Sequence, residues 1–316
     1  MGAVRGLFHR KYSETRAADR VSFSVNEGEF VGFLGPNGAG KTTVLKMLSG
    51  LLQPTSGSAS VLGFNPARRP TELKRQFALL MGQKNALWWD LPARESLELN
   101  RAIYGIERKE FERTVDELIE LLDIRDKMGV MVRELSLGER MKMELIAALL
   151  HRPKVLFLDE PTIGLDVMCQ KKVREFLREY NRRYKVVTLL TSHYMQDIEE
   201  LCVRVILIDH GKLFFDGSLE EVVSRFTSTK IIEVDFSAPL PDDFVPPGTV
   251  LEHNPQQLRI EVPRSEVPSA CTALLAGGLV IDLSVNEVPI EEVIRRVFGK
   301  QQEEQKELCG KQESRN

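Results

Sequence analysis

The octapeptide GPNGAGKT at Gly35–Thr42 constrains the fold of this 316-residue chain more than any other feature. It matches the pattern G-x-x-x-x-G-K-[ST] in full, with the β-rich run FVGFL before it and the helical pattern TTVLKMLSG at its end. Glycines let such a loop turn tightly, so that successive N–H groups point at phosphate oxygens while the helix N-terminus adds its dipole. The motif therefore predicts a phosphate-binding loop between a strand and a helix.

The residues of this loop have separate predicted roles. Lys41 would reach the β- and γ-phosphates of a nucleotide, and the Thr42 hydroxyl would bind magnesium. The predicted nucleotide-binding residues of the loop are Gly35, Pro36, Asn37, Gly38, Ala39, Gly40, Lys41, Thr42 and Thr43.

Two adjacent acids at the end of a second apolar run complete the predicted site. The run Val155–Leu158 leads directly into Asp159 and Glu160. Buried carboxylates are strongly unfavourable unless they are paired or bind a cation, and magnesium would supply that cation. We therefore assign Asp159 to the metal, directly or through water, and Glu160 to polarising the water that attacks in phosphoryl transfer.

The composition excludes several other classes of protein. Lys and Arg total 43 against 46 Asp and Glu, a net charge of −3, which lacks the positive excess typical of nucleic-acid binding. The apolar fraction of 42% is typical of globular proteins. No run reaches the roughly 18 apolar residues of a membrane span, and the absence of a signal-peptide pattern predicts a cytosolic chain. Cys169, Cys202, Cys271 and Cys309 lack the spacing of metal or redox sites.

Short apolar runs alternate with helical patterns from Val21 to about Phe226, which predicts an α/β domain around a largely parallel sheet. A helical insertion is expected at about 84–150. The expected strands are Phe30–Leu34, Val155–Leu158, Val186–Leu190 and Val205–Ile208, and the expected helices of the insertion are Glu95–Tyr104 and Glu107–Leu122.

After this domain, the pattern changes to alternation of apolar and polar residues, which predicts half-buried strands. The alternating apolar triplets are Ile232, Val234 and Phe236, then Leu258, Ile260 and Val262, then Ile281, Leu283 and Val285. Pro289 opens a predicted closing helix. The expected domains are therefore 1–226 and a small α+β domain at 227–299, followed by a flexible tail at 300–316.

Further segments extend the pattern of the phosphate loop. ELSLGER occupies Glu134–Arg140, DEPTIGLD occupies Asp159–Asp166, TSHYMQD occupies Thr191–Asp197, and MGQKN contains Gln83. In this order they resemble the signature loop, Walker B with D-loop, switch-histidine loop and Q-loop of the ATP-binding cassette (ABC) transporter family. The resemblance covers roughly residues 12–226. It implies a P-loop NTPase (RecA-like) core with a helical insertion, ATP and Mg2+ as cofactors, and ATP hydrolysis.

The resemblance also implies a role for each matching residue. His193 would contact the γ-phosphate and hold Glu160 and the attacking water in register. Gln83 would sense Mg2+ or that water and report to the helical insertion. Tyr12 would stack on the adenine, although an aromatic residue near a first strand is more often part of a core. The implied catalytic residues are Lys41, Glu160 and His193, and the implied metal-site residues are Thr42, Gln83 and Asp159.

Ser136 and Gly138 open a helix that, in the family, meets the γ-phosphate held by the opposite subunit, and Asp166 touches the partner. Because the chain carries one phosphate loop and one signature loop, a dimer with a second copy or a related ATPase subunit is implied. The signature departs from the commonest family pattern, with Leu137 in place of glycine and Glu139 in place of glutamine. We expect phosphate contact to survive if Leu137 has a helical or extended backbone.

Both tryptophans, Trp88 and Trp89, lie five residues past Gln83. Adjacent positions face different ways on a helix or strand, so at least one ring is expected to be exposed. By the resemblance, this region would take up a cytoplasmic helix of a membrane-spanning permease subunit; the alternative is that both rings pack inside the insertion. The protein would then lie at the cytoplasmic face of the plasma (inner) membrane, with no nucleic-acid partner.

The run PTIGLD, the single cassette and the C-terminal unit together resemble the bacterial drug-export branch of the family. More narrowly, LSLGERMKMELIAALLHRPK resembles a group associated with export of cationic, viologen-like compounds. The resemblance therefore implies an ATPase subunit that powers export of a small molecule through separate membrane subunits. Two alternatives stay open, an importer ATPase and a soluble ABC-type ATP switch that acts on a macromolecular complex.

Overall fold

A computed structural model describes residues 16–82, 86–240, 244–276 and 279–299. The chain divides into two compact units, Met1–Asp216 and Gly217–Asn316. The division falls before the expected boundary at 226, because the helix that ends at Phe226 groups with the second unit. None of the helices in the described residues is long and apolar enough to cross a membrane.

The first unit is built around a six-stranded sheet with the order β2-β3-β4-β1-β5-β6. The strands are β1 (Phe30–Leu34), β2 (Phe77–Met81), β3 (Val155–Asp159), β4 (Val187–Thr191), β5 (Arg204–Asp209) and β6 (Lys212–Ser218). Strands β1 to β5 pair in parallel. The four expected strands are therefore present, and β2 and β6 add to them.

Strands β1 and β3 are buried along their whole length, as their continuous apolar sequences predict for strands covered on both faces. Val31 and Phe33 of β1 share one core with Phe157 of β3 and with Val44 and Leu45 of the helix that follows β1. Each such side chain contributes roughly 1.5–3 kcal/mol when fully buried. This core fixes the carboxyl ends of β1 and β3, where the phosphate loop and the two acids begin.

Helices surround this sheet and form the insertion. They are α1 (Lys41–Leu48), α2 (Thr71–Lys74), α3 (Ala93–Tyr104), α4 (Arg108–Leu122), α5 (Leu137–Leu149), α6 (Val167–Tyr184) and α7 (Met195–Leu201). The insertion between β2 and β3 contains α3, α4 and α5. In α4, the buried positions Phe111, Val115, Leu118 and Leu122 recur at helical spacing, which explains why this helix was predicted nearly to its ends.

The second unit is an antiparallel sheet with the order β10-β7-β9-β8 and its own core. Its elements are α8 (Leu219–Phe226), β7 (Thr229–Phe236), β8 (Thr249–Asn254), β9 (Gln257–Pro263), α9 (Val267–Ala276), β10 (Val280–Glu287) and α10 at 290–299. The predicted alternation places Ile232 and Val234 of β7 and Ile260 of β9 in the core.

The prediction was wrong at Ile281 of β10, which is 70% exposed. The pairing of β10 with β7 is shifted between Val280 and Asp282, so that Ile281 has no partner in the register. A bulge of this kind turns one residue out of the alternation, and a pattern of period two cannot reveal it. Beyond the bulge, Leu283 packs against the core as predicted, but the prediction was also wrong at Val285, which is 37% exposed.

Candidate nucleotide site

The phosphate loop approaches its neighbours too closely for side chains at two of its glycines. A Cβ atom on Gly35 would lie 2.2 Å from the Ile208 carbonyl oxygen, and one on Gly40 would lie 2.2 Å from the Ala17 carbonyl oxygen. Gly40 also has a φ of 104° where α1 begins. Sterics therefore require glycine at both positions, in agreement with the motif.

The middle of the loop faces solvent while its base is packed. Asn37 and Gly38 are exposed, whereas Ala39 is buried and donates its N–H to the Pro36 carbonyl at 3.1 Å. Thr43 lies in the first turn of α1. The loop thus forms a fixed cradle with an open side.

Lys41 is the buried cation of this cradle, with 7% of its surface exposed. Its Nζ donates to the Gly35 carbonyl at 2.6 Å and to the Pro36 carbonyl at 3.0 Å. Burial lowers the pKa of Lys41, and the Glu160 and Asp159 carboxylates oppose that shift. A buried ammonium held by neutral carbonyls has donors to offer to an anion in the loop.

Thr42 and Asp159 meet across the sheet edge. The Thr42 hydroxyl lies 3.0 Å from Asp159 Oδ2 and 3.2 Å from Oδ1. A hydroxyl beside a carboxylate is an oxygen donor set that suits Mg2+, which uses few protein ligands and completes its shell with water and phosphate. No group of three or more His, Cys, Asp or Glu residues that could hold a metal occurs in the described part of the chain.

Thr191 also belongs to this arrangement, although sequence reasoning gave it no role. Its hydroxyl donates to Asp159 Oδ1 at 2.7 Å, and its residue is paired with Asp159 in the register of β3 and β4. Thr191 therefore fixes the orientation of the carboxylate. The sequence signal for Thr191 was its position at the end of an apolar run, directly before Ser192 and His193.

Glu160 and His193 face each other at the same edge. His193 Nε2 lies 2.9 Å from Glu160 Oε1. The Glu160 N–H donates to the Thr191 carbonyl at 3.0 Å, and Glu160 itself has a φ of 56°. This left-handed backbone, unusual for a residue other than glycine, turns the chain sharply at the end of β3. The structure thus brings Lys41, Thr42, Asp159, Glu160 and His193 to one edge of the sheet, as predicted.

A buried network behind this edge was missed. Asp197 of α7 accepts hydrogen bonds from the Thr162 hydroxyl and from the Ser192 hydroxyl at 2.6 Å. Arg174 of α6 pairs with Asp197 at 3.1 Å, and both side chains are only 1% exposed. The network ties the loop after Glu160 to the loop that carries His193. Its signal in the sequence is a charge, Arg174, on the largely apolar face of α6.

Ser136 lies at the N-terminus of α5, where it forms a capping box with Glu139. Leu137 has an ordinary helical backbone, so this departure from the usual signature leaves the helix start intact. A Cβ on Gly138 would lie 2.7 Å from the Cys169 sulfur of α6. Asp166 caps α6 through the Cys169 N–H at 2.9 Å.

The structure does not bring every predicted residue to the loop. Among the described residues, no hydrogen bond links Ser136, Gly138 or Asp166 to Gly35–Thr42. Tyr12 and Gln83 lie outside the described residues. Trp88 and Trp89 are 42% and 45% exposed, as the argument from adjacent positions predicted for at least one of them.

A phosphate loop before a helix, a Thr–Asp oxygen pair and a Glu–His pair at the carboxyl edge of a parallel sheet are together typical of a P-loop nucleoside triphosphatase. A family model described as ABC transporter matches residues 18–163, and a second, described as EvrA-like ABC transporter, C-terminal domain, matches residues 228–286. These two matches fall one in each compact unit.

Similarity to individual proteins agrees with the family models. The ABC transporter ATP-binding protein NatA of Bacillus subtilis (strain 168) is 36% identical over 215 residues, which cover 68% of this chain and 87% of NatA. The linearmycin resistance ATP-binding protein LnrL of the same organism is 28% identical over 302 residues, 92% of this chain and 96% of LnrL. A solved ATP binding subunit of an ABC transporter superposes with a TM-score of 0.62 at 28% identity, over 68% of this chain and 89% of the other.

The chain belongs to the ATP-binding subunits of the ABC transporter family. It is a nucleotide-binding protein and an ATPase.

Proposed function

We propose that this ATPase powers export of a small molecule through separate membrane-spanning subunits, and that it does so at the cytoplasmic face of the plasma (inner) membrane. The observation that carries this proposal is the match to LnrL, a resistance protein by its name, across both compact units of the chain. An importer ATPase or a soluble switch is less well supported. Cationic drugs are the first substrate class to test, because the run around Ser136 resembles the group that exports such compounds.

In this proposal the residues of the phosphate loop bind the nucleotide, and the residues at the edge of the sheet act on the attacking water. Lys41 turns its ammonium from the Gly35 and Pro36 carbonyls to the β- and γ-phosphates. Thr42 and Asp159 would hold Mg2+, which would supply positive charge to neutralise the phosphate oxygens. Glu160 accepts a hydrogen bond from the attacking water and polarises it.

His193 acts on the same water through Glu160 in the proposed mechanism. The contact of 2.9 Å between the two side chains fixes the orientation of the carboxylate. The buried Asp197 network holds the His193 loop against the loop that follows Glu160. Tyr12 would stack on the adenine and Gln83 would sense Mg2+ or the water.

We propose that the working unit is a dimer with a second copy or a related ATPase subunit. Ser136, Gly138 and Asp166 lie at helix starts without hydrogen bonds to the phosphate loop of their own chain, which supports a role at the nucleotide held by the partner. The capped start of α5 offers free N–H groups and the positive end of a dipole to that nucleotide.

A groove in the first unit offers a place for a membrane-spanning partner. A cavity of about 510 Å3 lies between the sheet and the insertion, and its walls include Leu51, Phe77, Leu79, Tyr104 and Ala147. Ile103, next to this wall along α3, is 63% exposed. We propose that an amphipathic helix of the permease docks here. Ala86 lines the cavity, whereas the exposed Trp88 and Trp89 follow it along the chain, where they would form the edge of the contact.

The proposal is tested in inside-out membrane vesicles from cells that express this chain with the membrane proteins encoded beside its gene. ATP should drive uptake of methyl viologen, a small dication, into these vesicles, and vesicles with the Glu160→Gln variant should show none. ATP-dependent uptake of neutral drugs alone would overturn the cationic substrate class. Absence of any ATP-dependent uptake, despite ATP hydrolysis in the same vesicles, would contradict the export function.

Docking is tested separately with the double variant Trp88→Ala and Trp89→Ala. Loss of membrane association with basal ATPase activity retained is the expected result. Membrane association and substrate-stimulated ATPase activity that both remain intact would show that the tryptophans are not part of the contact.

A further inference from the structure

The segment Ala86–Leu91, which we call the tryptophan segment, begins three residues after Gln83 and contains both tryptophans of the chain. It precedes α3 and lies in the first unit. Two charged side chains of α5 contact it from one side. Because Ser136 caps the start of α5, these contacts connect the surroundings of the proposed docking groove with the signature loop.

The first contact is made by Glu144, which is 3% exposed. Both of its carboxylate oxygens accept the Ala86 N–H at 3.0 Å, and Oε1 also accepts the Leu87 N–H at 3.3 Å. Burial raises the pKa of Glu144, and the two backbone N–H groups and Arg140 oppose that shift. A buried carboxylate without these donors would be strongly unfavourable, so the segment and Glu144 hold each other in place.

The second contact is made by Arg140, whose guanidinium lies 5.3 Å from the centre of the Trp89 ring. This is the geometry of a cation–π interaction. Arg140 and Glu144 are four residues apart and therefore lie on the same face of α5, one turn from each other. The segment is thus held at two points along a single helix.

Contacts with other residues of the insertion also hold the segment in place. The Trp88 N–H donates to the Ser96 hydroxyl at 2.9 Å, and Arg133 pairs with Asp90 at 2.7 Å. The Arg133 N–H also donates to the Trp89 carbonyl at 3.1 Å. Arg133 belongs to the stretch that leads into Ser136, so the segment and the start of α5 form one connected body.

We infer that Glu144 and Arg140 are positioning residues that couple the tryptophan segment to the signature loop. When a partner displaces the segment, α5 moves with it, and Ser136 changes its position relative to the nucleotide across the dimer. Conversely, closure of the dimer around ATP moves the segment. The inference rests on the proposed dimer and docking groove, and it assigns to them the two side chains that carry the movement.

Because the two tryptophans of the chain lie in this segment, intrinsic fluorescence reports on it without any added probe. The experiment uses the full chain carrying Glu160→Gln, with Mg2+ and increasing ATP. ATP is expected to change the tryptophan emission. Adding Glu144→Ala or Arg140→Ala should remove most of this change while labelled ATP still binds with unchanged affinity.

Three comparisons separate coupling from a merely structural role. Glu144→Gln keeps one acceptor oxygen and should retain more of the ATP-dependent change than Glu144→Ala. Glu112→Ala removes another hydrogen-bonded carboxylate of the insertion, one that bonds Arg94 instead, and should leave the change intact. In the otherwise unaltered protein, Glu144→Ala should lower the kcat of ATP hydrolysis several-fold more than it raises KM.

An ATP-dependent emission change that is the same in Glu144→Ala as in the parent would overturn the inference, and so would a parent protein whose emission does not respond to ATP. If Glu144→Ala fails to fold, the comparison of Glu144→Gln and Arg140→Ala with the parent decides the question in the same way. Failure of the proposed function has a different signature, because vesicles would then lack transport while the isolated protein keeps the coupled fluorescence response.

Discussion

His193 Nε2 and Glu160 Oε1 lie 2.9 Å apart, at the ends of two neighbouring strands whose order in the sequence is β3 then β4. The His193 imidazole thus orients the Glu160 carboxylate. His193→Ala removes a contact to a charged group, and such a contact contributes about 1.5–3 kcal/mol. If this energy stabilises the transition state, the ATPase rate of the variant should fall roughly ten- to a hundredfold. Steady-state phosphate release measures this. A rate within twofold, about 0.4 kcal/mol, would contradict it.

Glu160→Gln removes the carboxylate to which we assign the polarisation of the attacking water, and it keeps the shape of the side chain. Loss of a general base lowers rates by roughly 10²–10⁴-fold, so turnover should become barely measurable while ATP binding persists. The variant should accumulate as an ATP-bound dimer in size-exclusion chromatography. Glu175→Gln, on the exposed side of α6, is the matched control and should retain activity. Adding His193→Ala to Glu160→Gln should lower the rate little further, since the two side chains act as a unit.

Lys41→Met keeps the length of the side chain but removes its ammonium from the phosphate loop. The buried Nζ lies within 3.0 Å of two loop carbonyls, which leaves it in place to bind phosphate. Loss of hydrogen bonds from a charged donor should weaken ATP binding by roughly tenfold or more. Titration with a fluorescent ATP analogue measures this. Lys46→Met, at the other end of α1, should bind as the parent does.

Gly138→Ala tests the packing of the signature helix against α6. The new Cβ would lie 2.7 Å from the Cys169 sulfur, so either the cysteine or the start of α5 must shift, and ATPase activity should fall. Cys169→Ala removes that sulfur and should restore much of the activity in the double variant. Gly129→Ala is the control, because nothing lies within 4 Å of its added Cβ. An unrescued double variant would indicate that Gly138 matters for another reason.

The raised pKa of Glu144 makes a prediction about stability and pH. In the folded protein the Glu144 carboxyl has a higher pKa than in the unfolded chain, where its pKa is near 4.5. At a pH between these two pKa values, the unfolded state therefore binds fewer protons than the folded state. The free energy of unfolding of the parent should therefore fall relative to Glu144→Gln as pH rises from about 4.5 through the raised value. Urea unfolding across this range checks it. A difference that grows with pH would have the wrong sign.

The strands that could be predicted are those with a continuous apolar run, which are buried on both faces, and those with a clear alternation, such as β7 and β9. Phe30–Leu34 was predicted at both ends, because an unbroken apolar run before a glycine loop has few other interpretations. Phe77–Met81 was missed, since FALLM follows a short helix directly and its apolar residues fit a helical pattern as well. Thr249–Asn254 was missed because it is almost wholly exposed, so that its sequence carries no alternation.

Residues of the candidate site could be predicted where a chemically suitable side chain stands inside a recognisable motif. Lys41, Asp159, Glu160 and His193 lie close together as expected, because each is at or just beyond the carboxyl end of a strand in one parallel sheet. The contact of Thr191 with Asp159 depends on β4 lying next to β3, and the order of strands in space is not written in the order of the chain. The hydrogen bond from the Ala86 N–H to the Glu144 carboxylate joins residues 58 positions apart, so no local pattern in the sequence predicts it.

The left-handed backbone of Glu160 lowers the stability of the fold at a position where the proposed mechanism needs a carboxylate. A residue with a Cβ loses roughly 1–2 kcal/mol in that conformation, and glycine would recover most of it. Selection or engineering for a higher melting temperature would therefore favour replacing the carboxylate that polarises the attacking water in the proposed mechanism. Searches for thermostable variants should exclude this position, and an unexpectedly stable but inactive homologue should be inspected there first.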